Sequence, residues 1–388
     1  MTKPAHYPWL DVARGASALL VVAGHCRAAF FPPLSSIASP TLIEQLFYAV
    51  TSLGYLAVMA FFALSGFLVG GSVIRAGERF RLSDYFTARL CRLWVVLIPA
   101  LLLTLAMDTV TAVTAPDALK GVFAQQWHSG PDPSAPYSAS LITFLGNIAF
   151  VQKLWVPVFG TNGPLWSLSC EFWYYVIFPF VAMGLRPTSR LSLPIAAMFT
   201  FATVYFMPAG MLQGFCVWLM GVLAFVASRR LQRPVQRIWI VLSCLLLLFA
   251  IAYDKSGGVR SMIGIDTEYV LGVAFSILVI CIAHLDAASA PVGLRRLVLR
   301  VGGMLSRISY SLYLCHFPIL VLIAATFYPG SLGRLSWHSG AVYVFVVAFL
   351  CAVAVVFWLL FERHTDRLRA WVRSRIDVML PRNLPQKI

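Results

Sequence analysis

Four groups of polar side chains in this 388-residue chain have the types and spacing to do chemistry, and each interrupts an apolar stretch. The earliest is Asp11, Arg14 and His25. Arg14 and His25 are eleven residues apart, which on a helix is three turns plus about 20°, so they share a face about 16 Å apart along the axis. Asp11 lies at i−3 from Arg14, close enough to pair with it. An imidazole so placed can serve as a general base, or simply be a hydrogen-bonded packing residue. Asp11 and Arg14 can equally be an interfacial pair reaching for headgroups. The second group, Arg89 and Arg92 in ARLCRLWVVLIP, has i, i+3 spacing at the expected start of a helix. Neighbouring guanidiniums there can bind phosphate oxygens bidentately, assisted by the helix dipole, or can anchor a cytoplasmic helix end.

The third group is GPLWSLSCEFWYY, residues 163–175, in which Glu171 is a carboxylate among apolar and aromatic residues. Ser167 and Glu171 share a face at i, i+4, and Tyr174 and Tyr175 extend that face inward. An ionisable residue at membrane depth faces the protein interior or a wet cavity. Glu171 falls about 8 Å below the start of its helix, in the same outer half as His25, and is expected to orient or pair with that imidazole. In the fourth group, SYSLYLCHF, Ser309, Tyr313 and His316 follow helical spacing and His316 lands near the midplane.

The elements that position these residues follow from composition. The chain is 60% hydrophobic and 12% charged, with mean hydropathy +0.82, which excludes an ordinary soluble domain and implies an all-α polytopic membrane protein. Ten apolar stretches approach bilayer length, near 8–30, 45–71, 91–114, 166–185, 192–207, 210–228, 238–254, 267–285, 305–327 and 340–361. The shorter stretch 141–156 opens into the loop FGTNGPL and is expected to be interfacial or re-entrant. With ten spans both termini share one side, and that side holds 24 of the 30 Lys and Arg, including Lys3, Arg186, Arg190 and seven basic residues after Glu362. Making 141–156 a span would scatter the arginines over both faces. The positive-inside rule therefore places both termini in the cytoplasm, with residues 1–362 as a transmembrane domain and 363–388 as a basic tail.

The formal charge of +15 accordingly belongs to inner loops and tail and implies contact with anionic lipid headgroups, not nucleic acid. The first helix is too long and too polar to be a cleaved signal peptide. The eight cysteines are scattered singly through the expected helices, as small packing residues are, and no metal-ligand cluster appears. FFALSGFL, residues 61–68, suggests close helix packing at Gly66 with Ser65 bonding to its own backbone. There is no G-x-S-x-G nucleophile elbow. Trp127, Trp155 and Trp166 can stack on a sugar ring or belong to an interfacial belt.

LDVARG with a histidine eleven residues after its arginine, FFALSGFL, R-x-x-R at 89–92, PLWSLSCEFWYY and ISYSLYLCHFPI occur in that order on about ten helices. Over about residues 8–363 the chain resembles the acyltransferase 3 family of integral membrane O-acyltransferases. The resemblance implies transfer of an acyl group, most often acetyl, from cytoplasmic acyl-coenzyme A to a hydroxyl of a carbohydrate acceptor such as a surface polysaccharide or lipid-linked glycan, in a bacterial inner membrane. It implies that His25 is the catalytic histidine, Arg14 its partner in the R-x10-H pattern, and Arg89 and Arg92 the coenzyme A phosphate ligands. Trp166, Ser167 and Glu171 match the helix-four signature and His316 the late histidine. FERHTD stands where many members have Glu-Arg-Pro, so no role carries over to Glu362. No hydrolase-like domain follows, which makes the membrane unit the expected enzyme, with no metal. In this reading His25 is the base, Glu171 holds its tautomer, Arg14 stabilises charge or lines the path, and Trp166, Ser167, Tyr174, Tyr313 and His316 meet the substrate. Two other functions would also use buried charges. A transporter or flippase of a polar or lipid-linked substrate is one, although no inverted repeat is visible. An acyltransferase for a small cytoplasmic molecule is the other.

Overall fold

The computed structural model describes residues 7–127, 129–132, 134–184, 192–231, 235–255, 264–285 and 293–379. Lys3, Arg186, Arg190, Arg233, Arg382, Lys387 and part of the loop 254–266 lie outside the described residues. The described elements are helical: α1 Pro8–Phe30, α2 Leu42–Thr51, α3 Gly54–Ser65, α4 Gly71–Ala76, α5 Leu82–Thr114, α6 Ala124–Trp127, α7 Leu141–Ile148, α8 Trp166–Gly184, α9 Ser192–Phe206, α10 Ala209–Arg230, α11 Arg237–Lys255, α12 Thr267–Leu285, α13 Gly293–Phe327, α14 Trp337–Leu360 and α15 Thr365–Met379. Two isolated bridges, Asp132 with Ala135 and Gln152 with Val156, are the extended pairings among these residues.

Among the described residues nine helical segments are long and apolar enough to cross a membrane. The tenth expected span, 192–207, is the apolar helix α9, which has 15 residues. Helix α7 has only 8 residues, too few to cross, and leads into the tight Gln152–Val156 loop, so 141–156 is not a span. Broad faces of α11 and α14, with Leu245, Leu248, Phe249, Phe345 and Val356 exposed, present hydrocarbon outward as a lipid-facing surface requires.

Local sequence explains several ends. Pro8 opens α1, where its missing N–H costs nothing. Thr41 and Glu44 form a capping box on α2, as Ser336 and Ser339 do on α14. Helix α3 continues through one π-type turn at Gly66–Gly70 into α4. Close packing at Gly66 is reciprocal: a Cβ there would lie 1.9 Å from the Trp218 carbonyl oxygen, and one on Gly221 2.0 Å from that of Ala63. Backbones of α3 and α10 therefore touch, which small residues permit.

The centre of the bundle is the pair α1 and α13, which cross in extensive contact. The loop before α8 is tied to this centre by buried polar groups. Asp108 on α5 accepts from the Thr161 N–H at 2.9 Å and the Thr161 hydroxyl at 2.5 Å. Asn162 donates to the Leu314 carbonyl at 2.8 Å and to Thr104 Oγ1 at 3.1 Å. These bonds satisfy groups that would be costly if buried alone, and they set the register of α8 against α13.

Candidate active site

Four helices bring the polar groups together, and they do so around two cavities. The first, about 170 Å³, is lined by Arg14 of α1, Arg89 and Arg92 of α5, Ser167, Glu171 and Tyr175 of α8, and Tyr310 and Tyr313 of α13. The second, about 190 Å³, is lined by His25 and Arg27 of α1, Tyr55 of α3, Trp127 of α6, Trp166 of α8 and Tyr313. Val58 and Tyr313 stand in both walls, so the chambers adjoin through them. Tyr313 is held by its hydroxyl, which lies 2.6 Å from Ser167 Oγ and donates to the Pro164 carbonyl at 3.1 Å.

In the arginine chamber Asp11 and Arg14 form the expected ion pair, and Ser306 ties it to α13 by accepting from Arg14 Nε at 3.0 Å and donating to Asp11 at 3.0 Å. Arg89 and Arg92 carry no ion pair or side-chain hydrogen bond with a described residue, and Arg89 Nε is buried without a partner. Aromatic faces support Arg89, with its guanidinium carbon 5.9 Å from the ring centres of both Tyr85 and Tyr175. The two arginines do not open a helix. Helix α5 begins at Leu82, so they lie two to three turns in, and the dipole, which acts within the first turn, does not reach them.

Glu171 is in this chamber and does not meet His25. It accepts from the Tyr175 hydroxyl, which in turn lies 3.0 Å from Ser65 Oγ. Ser65 accepts from the Trp218 indole at 3.2 Å. Because Trp218 can only donate and the carboxylate can only accept, the chain runs Trp218 to Ser65 to Tyr175 to Glu171. This corrects two expectations: Ser65 bonds across helices rather than to its own backbone, and Glu171 does not hold the His25 tautomer.

That role falls to His316. The two imidazoles are joined by His25 Nδ1 and His316 Nε2 at 2.9 Å. His316 Nδ1 lies 2.9 Å from the carbonyl oxygens of both Leu312 and Tyr313. Carbonyls only accept, so the His316 proton is on Nδ1 and its Nε2 offers a lone pair; His25 Nδ1 then donates to it. With both rings neutral, the lone pair of His25 is on Nε2, which makes no hydrogen bond with a described residue. Phe317 packs edge-on against His25, ring centres 4.9 Å apart.

Of the expected substrate-facing residues, Ser167 lines the arginine chamber, Trp166 the imidazole chamber and Tyr313 both. Tyr174 faces elsewhere: fully buried, it donates to the Met211 carbonyl at 2.6 Å and packs in the core. His316 is buried behind His25 rather than open to a chamber. Trp127 joins Trp166 in the wall of the imidazole chamber, whereas Trp155 is exposed. Arg27, counted in the sequence only as an outer-face cation, lines the imidazole chamber; Glu362, to which the sequence assigned no role, lines neither chamber and accepts from the Ser311 hydroxyl at 2.6 Å. Among the described residues no cluster of three or more His, Cys, Asp or Glu could hold a metal ion.

Comparison with known proteins gives a consistent result. Residues 7–361 match the acyltransferase 3 family model, described as an acyltransferase domain. The chain is 29% identical over 336 residues to acyltransferase MdmB of Streptomyces mycarofaciens, covering 79% of this chain and 78% of that protein. No solved structure matches. A match spanning every helix that lines the two chambers, on a bundle with membrane-length apolar helices, places the chain in the acyltransferase 3 family as an integral membrane acyltransferase.

Proposed function

We propose that the protein transfers an acyl group, acetyl foremost, from cytoplasmic acyl-coenzyme A to a hydroxyl of a carbohydrate acceptor such as a surface polysaccharide or lipid-linked glycan. The observation that carries this reading is the adjoining pair of chambers, one with guanidiniums that lack carboxylate partners and the other with an imidazole whose Nε2 is free. Arg89 and Arg92 bind the phosphates of the donor, and its thin pantetheine arm enters between α3, α5 and α8. Arg14, already neutralised in part by Asp11, lines that path. Glu171 lies in the same chamber and adds a negative charge there without pairing with Arg89 or Arg92.

At the partition the thioester meets the acceptor hydroxyl. His25 Nε2 takes the hydroxyl proton as the oxygen attacks the thioester carbon; the carbon–sulfur bond then breaks and the imidazolium returns the proton to the leaving thiolate. His316 keeps the basic nitrogen turned toward the chamber and accepts from Nδ1–H throughout. A positioned base of this kind contributes about 10²–10⁴-fold. Transfer is direct, without an acyl-enzyme. The same reading puts both termini in the cytoplasm of a bacterial inner membrane, residues 1–362 as the transmembrane acyltransferase domain and 363–388 as a basic tail.

The test is transfer of radiolabelled acetyl from acetyl-coenzyme A to surface glycans in vesicles, comparing wild type with His25→Ala. Label incorporated by the wild type and lost in the inserted variant is the expected result. Equal label in both removes His25 from the chemistry, and none in either removes the donor or the reaction.

A further inference from the structure

The outer chamber holds a cation that the transfer step leaves unused. Arg27 lines the same cavity as His25, two residues further along α1. Its guanidinium has neither an ion pair nor a hydrogen bond with a described residue, and its Nε is buried without a partner. Tyr48 supports it, the guanidinium carbon lying 5.3 Å from the ring centre, and the Tyr48 hydroxyl is itself fixed to the Pro32 carbonyl at 2.5 Å. Of the other cations that sequence assigns to this side, Arg334 pairs with Glu44 at 2.7 Å, Lys120 with Asp117 at 2.9 Å and Lys255 with Asp254 at 3.4 Å; Lys153 forms no ion pair with a described residue, but it does not line the chamber. Among the described residues no Asp or Glu lines the chamber. A second donor in its wall, the Trp127 indole N–H, is likewise buried and unpartnered.

A half-buried guanidinium without an acceptor is costly to keep, and a chamber whose charged lining residue among those described is a cation draws anions in. Arginine also matches planar or tetrahedral oxyanions better than it matches a neutral hydroxyl. We propose that the outer chamber binds an acceptor carrying an anionic oxygen group, a sugar carboxylate or a sugar phosphate, which Arg27 grips while a neighbouring hydroxyl of the same molecule reaches His25 Nε2. Placement of that hydroxyl rests on the acyl-transfer reading; binding of the anion does not.

The test uses the full chain in detergent with coenzyme A present at saturation, so that the arginine chamber is filled. Thermal unfolding is followed while glucuronate, glucose 1-phosphate or neutral methyl glucoside is added to wild type, Arg27→Gln and Arg27→Lys. A ligand of the folded state raises the midpoint by mass action. The expected result is a rise with at least one anionic sugar and none with methyl glucoside, an apparent affinity weakened about tenfold or more by Arg27→Gln, and partial recovery with Arg27→Lys. Response to glucuronate alone identifies a carboxylate, and response to glucose 1-phosphate alone a phosphate. An equal rise with methyl glucoside, no rise with either anion, or an unchanged response in Arg27→Gln overturns the proposal. So does complete competition by phosphatidylglycerol added to the micelles, which would make Arg27 a headgroup ligand. Acetyl-coenzyme A turnover by the wild type is measured alongside. A rise without turnover removes the acyl-transfer reading and keeps the anion site; turnover without a rise removes the anion site alone.

Discussion

In the proposed transfer His316 would act through His25, to which it is joined at 2.9 Å, and that effect can be separated from a packing role. Replacing it with phenylalanine fills the volume but removes the acceptor for His25 Nδ1–H; the imidazole can then present its proton, not its lone pair, to the chamber. We expect His316→Phe to lower kcat by about 10²-fold or more with KM for acetyl-coenzyme A little changed. His316→Gln, whose carboxamide oxygen still accepts, should recover part of that loss, and equal losses in both variants would leave only a packing role. Arg89 and Arg92 should behave in the opposite manner. Each neutralised contact to phosphate removes binding present in both ground and transition states, so Arg89→Gln and Arg92→Gln should each raise KM for acetyl-coenzyme A about tenfold, kcat holding. Steady-state kinetics at fixed acceptor decide this.

At the scale of elements, the geometry of the two chambers depends on how closely helices approach. Val58 and Ser65 reach the chambers only because α3 lies backbone to backbone on α10 at Gly66 and Gly221. Gly66→Ala puts a methyl within 1.9 Å of a carbonyl oxygen that is part of a helix and has little room to move. A loss of about 1–3 kcal/mol is expected from such overpacking, read as a fall in Tm in detergent. Gly210→Ala, on the facing helix α10 with nothing within 4 Å of the added carbon, is the control and should leave Tm unchanged or slightly raised.

For the whole molecule, the proposed orientation puts the two ends of α14 on opposite membrane faces. Ser331, before α14, and Ser374, on α15, are both exposed. A membrane-impermeant thiol reagent should label Ser331→Cys in intact cells and Ser374→Cys only in inverted vesicles. Labelling of both from one side would remove the proposed orientation, and with it the separation of a cytoplasmic donor from an outer acceptor.

Sequence alone determined what depends on local periodicity and total hydropathy: a helical membrane bundle, and Arg14 and His25 on one face of α1 far enough apart to serve different chambers, which they do. The Asp11–Arg14 pair was legible for the same reason, since i−3 neighbours meet on any helix. The start of α5 was not, because a hydropathy pattern stops at the membrane surface whereas the helix continues through the polar residues LSDYFTARL. What only the tertiary structure decided is which side chains of different helices face one another. Sequence places Glu171 and His25 at one depth, but α8 presents Glu171 to the chamber of the arginines, while α13 presents His316, 291 residues along the chain from His25, in its place. Rotation of a helix about its axis is set by packing over its whole length, such as the Asn162–Leu314 bond and the Gly66–Gly221 contact, and no single stretch of sequence contains that information.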